Sequence, residues 1–155
     1  MVNVCALEGN IAAGKSELLK YISLHYDPYM VGTITEPVDQ YTRYKTHNPL
    51  ELMYTKPREH AALSQIYITK ILKQHYLTRL EELKLSKILV LERSLASPMI
   101  FIKTMFEENL ISEFAFDYFT DEFNSSVCES LLPGKVVYLD TPVDICFQRL
   151  QKRNR

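Results

Sequence analysis

No excess of either charge marks this chain. Lysine and arginine number 18 against 19 aspartates and glutamates, for a net charge of −1, and the two signs are interspersed. The one-sided basic field that draws a protein onto nucleic acid is missing, so no nucleic-acid partner is expected. Long apolar runs are missing as well. A membrane span needs about 20 consecutive apolar residues, nothing in the sequence approaches that, and no membrane partner is expected. Cysteine is sparse and odd in number: Cys5, Cys128 and Cys146 have neither the close spacing of a thiolate metal site nor the even count of a disulfide framework. Reduced thiols and a cytoplasmic location follow as expectations. So does the lack of a signal or transit segment, because an apolar strand already begins at Val2. Repeats, linkers and low-complexity segments are absent too. What remains is an ordinary globular composition, 46% hydrophobic and 24% charged over 155 residues, enough for one core and suited to a small ligand.

Glycine is scarce, four in all, and two of the four stand at Gly9 and Gly14, directly after the apolar run Val2 to Leu7. Between and after them lie Asn10, Ile11, Ala12, Ala13, Lys15 and Ser16. A strand that runs into such a loop and then into a helix is a phosphate cradle. Several backbone N–H groups must converge on one anion, which needs glycine where the chain turns sharply or approaches a ligand without a Cβ. Lys15 brings a point charge to the outer phosphates, Ser16 a hydroxyl for Mg²⁺, and the helix start its positive dipole end. Gly9 to Ser16 are therefore the expected contacts of a nucleoside triphosphate.

The rest of the chain alternates strand and helix. The expected strands are Val2 to Leu7, Met30 to Thr35, Lys87 to Glu92 and Lys135 to Leu139. A helix is expected from Lys15 to about His25, and a long one from Lys56-Pro57-Arg58 to about Lys84, with Leu63, Ile66, Tyr67 and Ile71 as its apolar stripe. Ser97-Pro98 reads as a helix start, serine capping and proline at the first position. A helix from Ser112 to Phe123 carries Phe116, Phe119 and Phe123 on one face, and a last one runs from Pro142 towards Arg153. The stretch between Pro37 and Lys56 reads as irregular. This order implies an α/β fold, a P-loop NTPase-like parallel sheet of four strands with helices on both faces. In such sheets ligands bind at the carboxyl ends of the strands. Those ends deliver the phosphate loop, Glu36, and Glu92-Arg93-Ser94. A cradle, a carboxylate, and a carboxylate beside a guanidinium form a minimal kit for phosphoryl transfer, which needs an oriented acceptor and charge compensation. Plainer alternatives stand beside it: Glu36 as a turn carboxylate before Pro37, Glu92 and Arg93 as a structural ion pair.

Taken together, Glu8-Gly-Asn-Ile-Ala-Ala-Gly-Lys-Ser16, Glu36-Pro-Val38 and Glu92-Arg-Ser94 resemble the deoxyribonucleoside kinase family over essentially the whole chain. The resemblance implies transfer of the γ-phosphate of ATP, with Mg²⁺, to the 5′-hydroxyl of a deoxynucleoside. It implies that Glu36 is the general base, that Arg93 bridges hydroxyl and phosphates, and that Lys15 completes the catalytic set. Ser16 and Glu92 then hold the metal. Tyr54 corresponds to the tyrosine on the 3′-hydroxyl, Gln65 to the glutamine on the base edge and Phe101 to the ring stacked on the base. Leu72 and Pro98 occupy positions where relatives preferring deoxycytidine or purines carry charge, so thymidine and deoxycytidine are the expected substrates. Arg149, Arg153 and Arg155 resemble an arginine-rich lid over the phosphates. Residues 1–155 would then form a single kinase domain ending within that lid, with a fifth strand expected beyond it, and two copies would pair through the long helix and the one after Ser97. Tyr41 stands where the family often has tryptophan. Two other readings stay open: a nucleoside monophosphate kinase of the thymidylate kinase type, and a non-catalytic subunit that keeps the fold.

Overall fold

A computed structural model of the chain describes residues 3–126 and 132–153. They group into two compact units. The first contains Met1–Glu36, Arg79–Ser94 and Leu132–Arg155, and the second Pro37–Thr78 and Leu95–Leu131.

In the first unit, β1 (Asn3–Gly9), β2 (Val31–Ile34), β3 (Ile88–Glu92) and β4 (Lys135–Leu139) form one sheet in the order β2-β3-β1-β4. Every pairing is parallel, as the alternation of strands and helices requires. Leu89, Val90, Leu91 and Glu92 are buried in succession, the pattern of a strand covered on both faces. Helix α1 (Lys15–His25) covers one face, where Leu19 packs with Leu7 and Val90 and draws in Leu18, Ile22 and Val31. The expectation of cover on both faces does not extend to β4, whose Val136, Val137 and Tyr138 are exposed. The helix α7 (Val143–Arg153) closes the unit's described chain.

The second unit is helical. It holds α2 (Val38–Tyr41), α3 (Pro49–Thr55), α5 (Ser97–Glu107), α6 (Glu113–Ser126) and most of α4 (Pro57–Glu82). The two shortest correct the expectation of an irregular stretch. For α3 the signal was present: Asn48 precedes Pro49, and its side chain accepts from Glu51 N at 3.1 Å while donating to Glu51 Oε2 at 3.2 Å, a capping box in miniature. The apolar stripe of α4 is also corrected. Leu63 is 71% exposed, and the buried face is instead Ala61, Ser64, Gln65, Ile68, Leu72 and Tyr76, which follows the helical period equally well but contains polar residues that a hydrophobicity search passes over. At α5 the cap is Ala96 with no side-chain bond, while Ser97 and Pro98 both lie inside the first turn and are buried. The aromatic face of α6 is as expected: Phe119 is buried, Phe123 stacks on it at 6.2 Å, and Phe116 stacks on Phe106 of α5 at 4.7 Å.

One backbone position decides whether the first loop can form. Gly9 has φ 144°, and a Cβ there would stand 2.8 Å from the Leu139 carbonyl oxygen of β4. Gly9→Ala is expected to cost about 1–3 kcal/mol from the backbone conformation alone. The control is Gly134→Ala, whose nearest neighbour would be 3.8 Å away at ordinary φ, expected within about 0.5 kcal/mol of the parent. Chemical denaturation measures both, and equal midpoints for the two variants would contradict this account.

Candidate active site

The parallel register sets Leu7 beside Glu92, so the loop that leaves β1 after Gly9 starts two residues beyond the level at which β3 gives way to Arg93 and Ser94. From there the chain builds the cradle. Ala12 and Gly14 take left-handed conformations, φ 62° and 110°, and the Ala13 amide closes a turn on Asn10 O at 3.1 Å. Asn10 Oδ1 accepts from Ile11 N at 2.8 Å. The amides of Gly14, Lys15 and Ser16 find no acceptor among the described residues, as the first turn of a helix requires. Unpaired amides at a helix N-terminus are suited to receive an anion. Lys15, only 5% exposed, donates to Gly9 O at 3.0 Å and Asn10 O at 2.8 Å. Burial first, then the Arg93 guanidinium, pushes its pKa below the usual lysine value. Two cations that disfavour each other in a partly dry site favour the arrival of a polyanion.

Three carboxylates face these cations. Glu92 is buried, accepts the Ser16 hydroxyl at 2.5 Å on one oxygen and the Glu36 amide at 3.2 Å on the other, and so ties the start of α1 to the end of β2. Glu36 accepts from Arg93 Nε at 3.1 Å, with their side chains 17% and 10% exposed. Burial raises the Glu36 pKa above its ordinary value; the Arg93 guanidinium pulls it back and the Glu92 charge adds to the rise. Glu8 accepts from the Ser94 amide at 2.7 Å. Sequence reasoning gave Glu8 no role beyond its place in the Glu8 to Ser16 motif, although a carboxylate following an apolar run was a signal for one. It also passed over Thr141, whose hydroxyl donates to Ala13 O at 2.9 Å.

Within the first unit the structure brings together Gly9, Asn10, Ile11, Ala12, Ala13, Gly14, Lys15, Ser16, Glu36, Glu92 and Arg93. Arg149 joins them from α7, but its Nη1 donates to Ala12 O and Ala13 O at 3.2 and 2.9 Å, so in this state it braces the loop backbone. The Arg153 side chain and Arg155 lie outside the described residues, as does Cys128; Cys5 and Cys146 are free thiols.

The expected substrate residues Tyr54, Gln65, Leu72, Pro98 and Phe101 all belong to the second unit. Gln65 and Leu72 are 2% and 1% exposed on one face of α4, so Gln65 is not on the helix's solvated side. Its amide reaches Thr69 Oγ1 at 3.5 Å. Pro98 is buried, Phe101 half-buried and Tyr54 62% exposed. Two surface depressions in this unit, of about 460 and 280 Å³, are lined by other residues, the larger by Asp39, Gln40, Arg43, Tyr67 and Ile71. Buried polarity on α4, not cavity size, therefore carries the argument for a recognition face.

Comparison with known proteins agrees with this geometry. Residues 5–155 match the family model described as deoxynucleoside kinase, and the chain belongs to that family. It is 31% identical over 159 residues to human mitochondrial thymidine kinase 2 (99% of this chain, 56% of that protein). It is 29% identical over 158 residues to deoxyguanosine kinase of Dictyostelium discoideum (98% and 50%). It is also 29% identical over 162 residues to the bovine mitochondrial NADH dehydrogenase [ubiquinone] 1 alpha subcomplex subunit 10 (95% and 47%). The chain thus spans about half the length of these curated relatives. No helix among the described residues is long and apolar enough to cross a membrane.

The electrostatics give a direct expectation. The Glu36 carboxyl should titrate above the ordinary 4.5, and higher still in Arg93→Met, because the guanidinium holds it down. By linkage, the protonated form is the one burial favours, a contribution to stability present at low pH and lost as pH rises through the raised pKa. Carboxyl-carbon NMR titration reads both values; a downward move in Arg93→Met would contradict the assigned cause.

Proposed function

We propose that this chain is the catalytic part of a deoxynucleoside kinase that transfers the γ-phosphate of ATP to the 5′-hydroxyl of a deoxyribonucleoside. The observation that carries this is the part-buried Glu36–Arg93 pair at 3.1 Å, with the Glu36 amide held by Glu92, in the same unit as a phosphate loop with its lysine. In this reading the loop amides and Lys15 bind the phosphates. Glu36 takes the proton of the 5′-hydroxyl as that oxygen bonds to the γ-phosphorus and the bond to the departing ADP oxygen breaks. A base whose pKa is raised by burial is better matched to that task. Arg93 orients Glu36 and lends its charge to the phosphoryl oxygens.

Ser16 and Glu92 offer a hydroxyl and a carboxylate side by side, the hard oxygen donors that suit Mg²⁺, an ion that takes few protein ligands and completes its shell with phosphates and water. When bound, Mg²⁺ supplies charge neutralisation on the phosphates. Tyr54 is assigned to the 3′-hydroxyl, Gln65 to the base edge and Phe101 to stacking. Arg149, Arg153 and Arg155 are assigned to the phosphate-closing segment. A homodimer belongs to the same reading, supported by the exposure of Leu63 on α4 and Ile100 on α5 at 71% and 63%. So does a cytoplasmic location, supported by the free thiols and testable by fractionation, since the human and bovine relatives are named as mitochondrial.

A second reading, a non-catalytic subunit, is favoured by the similarity to the respiratory-complex subunit. Retention of Lys15, Ser16, Glu36 and Arg93 in bonded positions speaks for chemistry instead. Turnover separates the two. Lys15→Ala should abolish transfer, and Glu36→Gln should lower kcat by about 10² or more with little change in deoxynucleoside affinity. A chain extended past Arg155 that binds ATP yet is inert towards all deoxynucleosides and thymidylate would favour the second reading.

Base choice is assigned from the family resemblance, in which the buried Leu72 and Pro98 stand at positions where relatives carry charge. A glutamine amide presents a donor and an acceptor side by side and can flip to match either pyrimidine, so thymidine and deoxycytidine should both be used. Purines should be worse by roughly tenfold to a hundredfold, since overpacking a formed pocket costs about 1–3 kcal/mol. The measurement is kcat/KM for the four deoxynucleosides and thymidylate; a preference for either purine, or for thymidylate, would overturn this assignment.

A further inference from the structure

Arg93 has φ 72°, a conformation that a bulky non-glycine residue adopts only when its surroundings impose it. The hydrogen bonds on either side of it show what imposes it. In a regular strand successive N–H groups point to opposite neighbours. Here the Arg93 amide donates to Leu7 O at 2.9 Å, and the very next amide, of Ser94, donates to the Glu8 carboxylate at 2.7 Å. Two consecutive N–H groups of one chain thus bond to two consecutive residues of β1. That breaks the alternation, and the left-handed turn at Arg93 is the break. A main-chain acceptor on β1 is already engaged nearby, for Gly9 O accepts from Lys15 Nζ at 3.0 Å. The Glu8 side chain supplies the anionic acceptor that the turned amide uses, a charge-assisted bond and so a strong one.

We infer that Glu8 is a positioning residue: its carboxylate, by holding the Ser94 amide, keeps Arg93 in the left-handed conformation that directs the guanidinium onto Glu36. Glu8 acts through Arg93 and touches no reacting atom. The consequence for turnover rests on the kinase reading above, whereas the consequence for the backbone at residues 93 and 94 does not.

The test pairs Glu8→Ala with Glu8→Gln in the full chain, measured by amide hydrogen exchange at Ser94 and by steady-state kinetics with ATP and thymidine. Glu8→Gln keeps an oxygen acceptor where Glu8→Ala has none. Glu8→Ala is expected to speed Ser94 exchange at least tenfold and to lower kcat by about 10²-fold, the effect of a misplaced catalytic group, with KM for thymidine within about twofold. Glu8→Gln should restore Ser94 protection and bring kcat to within about tenfold of the parent. Unchanged Ser94 exchange in Glu8→Ala would overturn the inference. Equal loss of kcat in both variants with Ser94 protected in Glu8→Gln would also overturn it, since the Glu8 charge, which also acts on Lys15, would then be the cause. Should Glu8→Ala fail to fold, Glu8→Gln decides alone: retained protection and kcat support the hydrogen-bond role, and loss of either removes it. If Lys15→Ala and Glu36→Gln both leave turnover at the parent level, the kinase reading falls while the exchange data still decide whether Glu8 holds Ser94.

Discussion

The parallel pairing of β1 with β3 is the constraint on which the rest depends. It matches Leu7 to Glu92 and continues one bond further, from the Arg93 amide to Leu7 O. β3 ends at Glu92 and β1 runs only two residues past Leu7, to Gly9, so a loop of backbone donors and a tripeptide of opposite charges leave the sheet close together. A slip of one residue would reverse which side chains of β3 point to each face, and neither the Ser16–Glu92 bond nor the Glu8–Ser94 bond could form. Because Leu89, Val90 and Leu91 are buried on alternate faces, such a slip would also exchange their packing partners on both sides of the sheet. Packing far from any ligand thereby enforces the geometry of the charged groups.

The charged groups are costly to the fold. Lys15, Glu92 and Arg93 are all buried, and burial works against the charged form of both Lys15 and Glu36. Mutual pairing offsets part of that penalty, with Glu92 bonded to Ser16 and to the Glu36 amide, and Glu36 to Arg93. The left-handed Arg93 adds backbone strain. Strain and buried charge gathered at the carboxyl ends of a sheet whose two central strands are β3 and β1 are features that suit a preorganised anion site.

The second unit solves a different problem with an ordinary device. Helix α4 hides Ser64 and Gln65 on the same face as Ile68, Leu72 and Tyr76. A buried amide needs partners or a ligand, and Thr69 at 3.5 Å is a weak one. Of the stripe that the hydrophobic pattern favoured, Leu63 is turned outward while Ile66, Tyr67 and Ile71 are half-buried.

By itself the sequence determined the order of strands and helices, the parallel sheet, the phosphate loop and the three strand ends that carry the charges. These are legible because they rest on local chemistry: glycines where the backbone must turn, apolar runs where a strand is covered on both faces, proline where a helix begins. The short α3 was legible too, in Asn48 and Glu51, but seven residues leave too little periodicity to announce a helix. Tertiary structure alone decided which face of α4 is buried, that Arg149 braces Ala12 and Ala13, and that Glu8 meets Ser94 across 86 residues of chain. The physical reason is that a side chain's partner is set by strand register and helix rotation, which depend on the whole core closing at once and leave no mark in any short window of sequence.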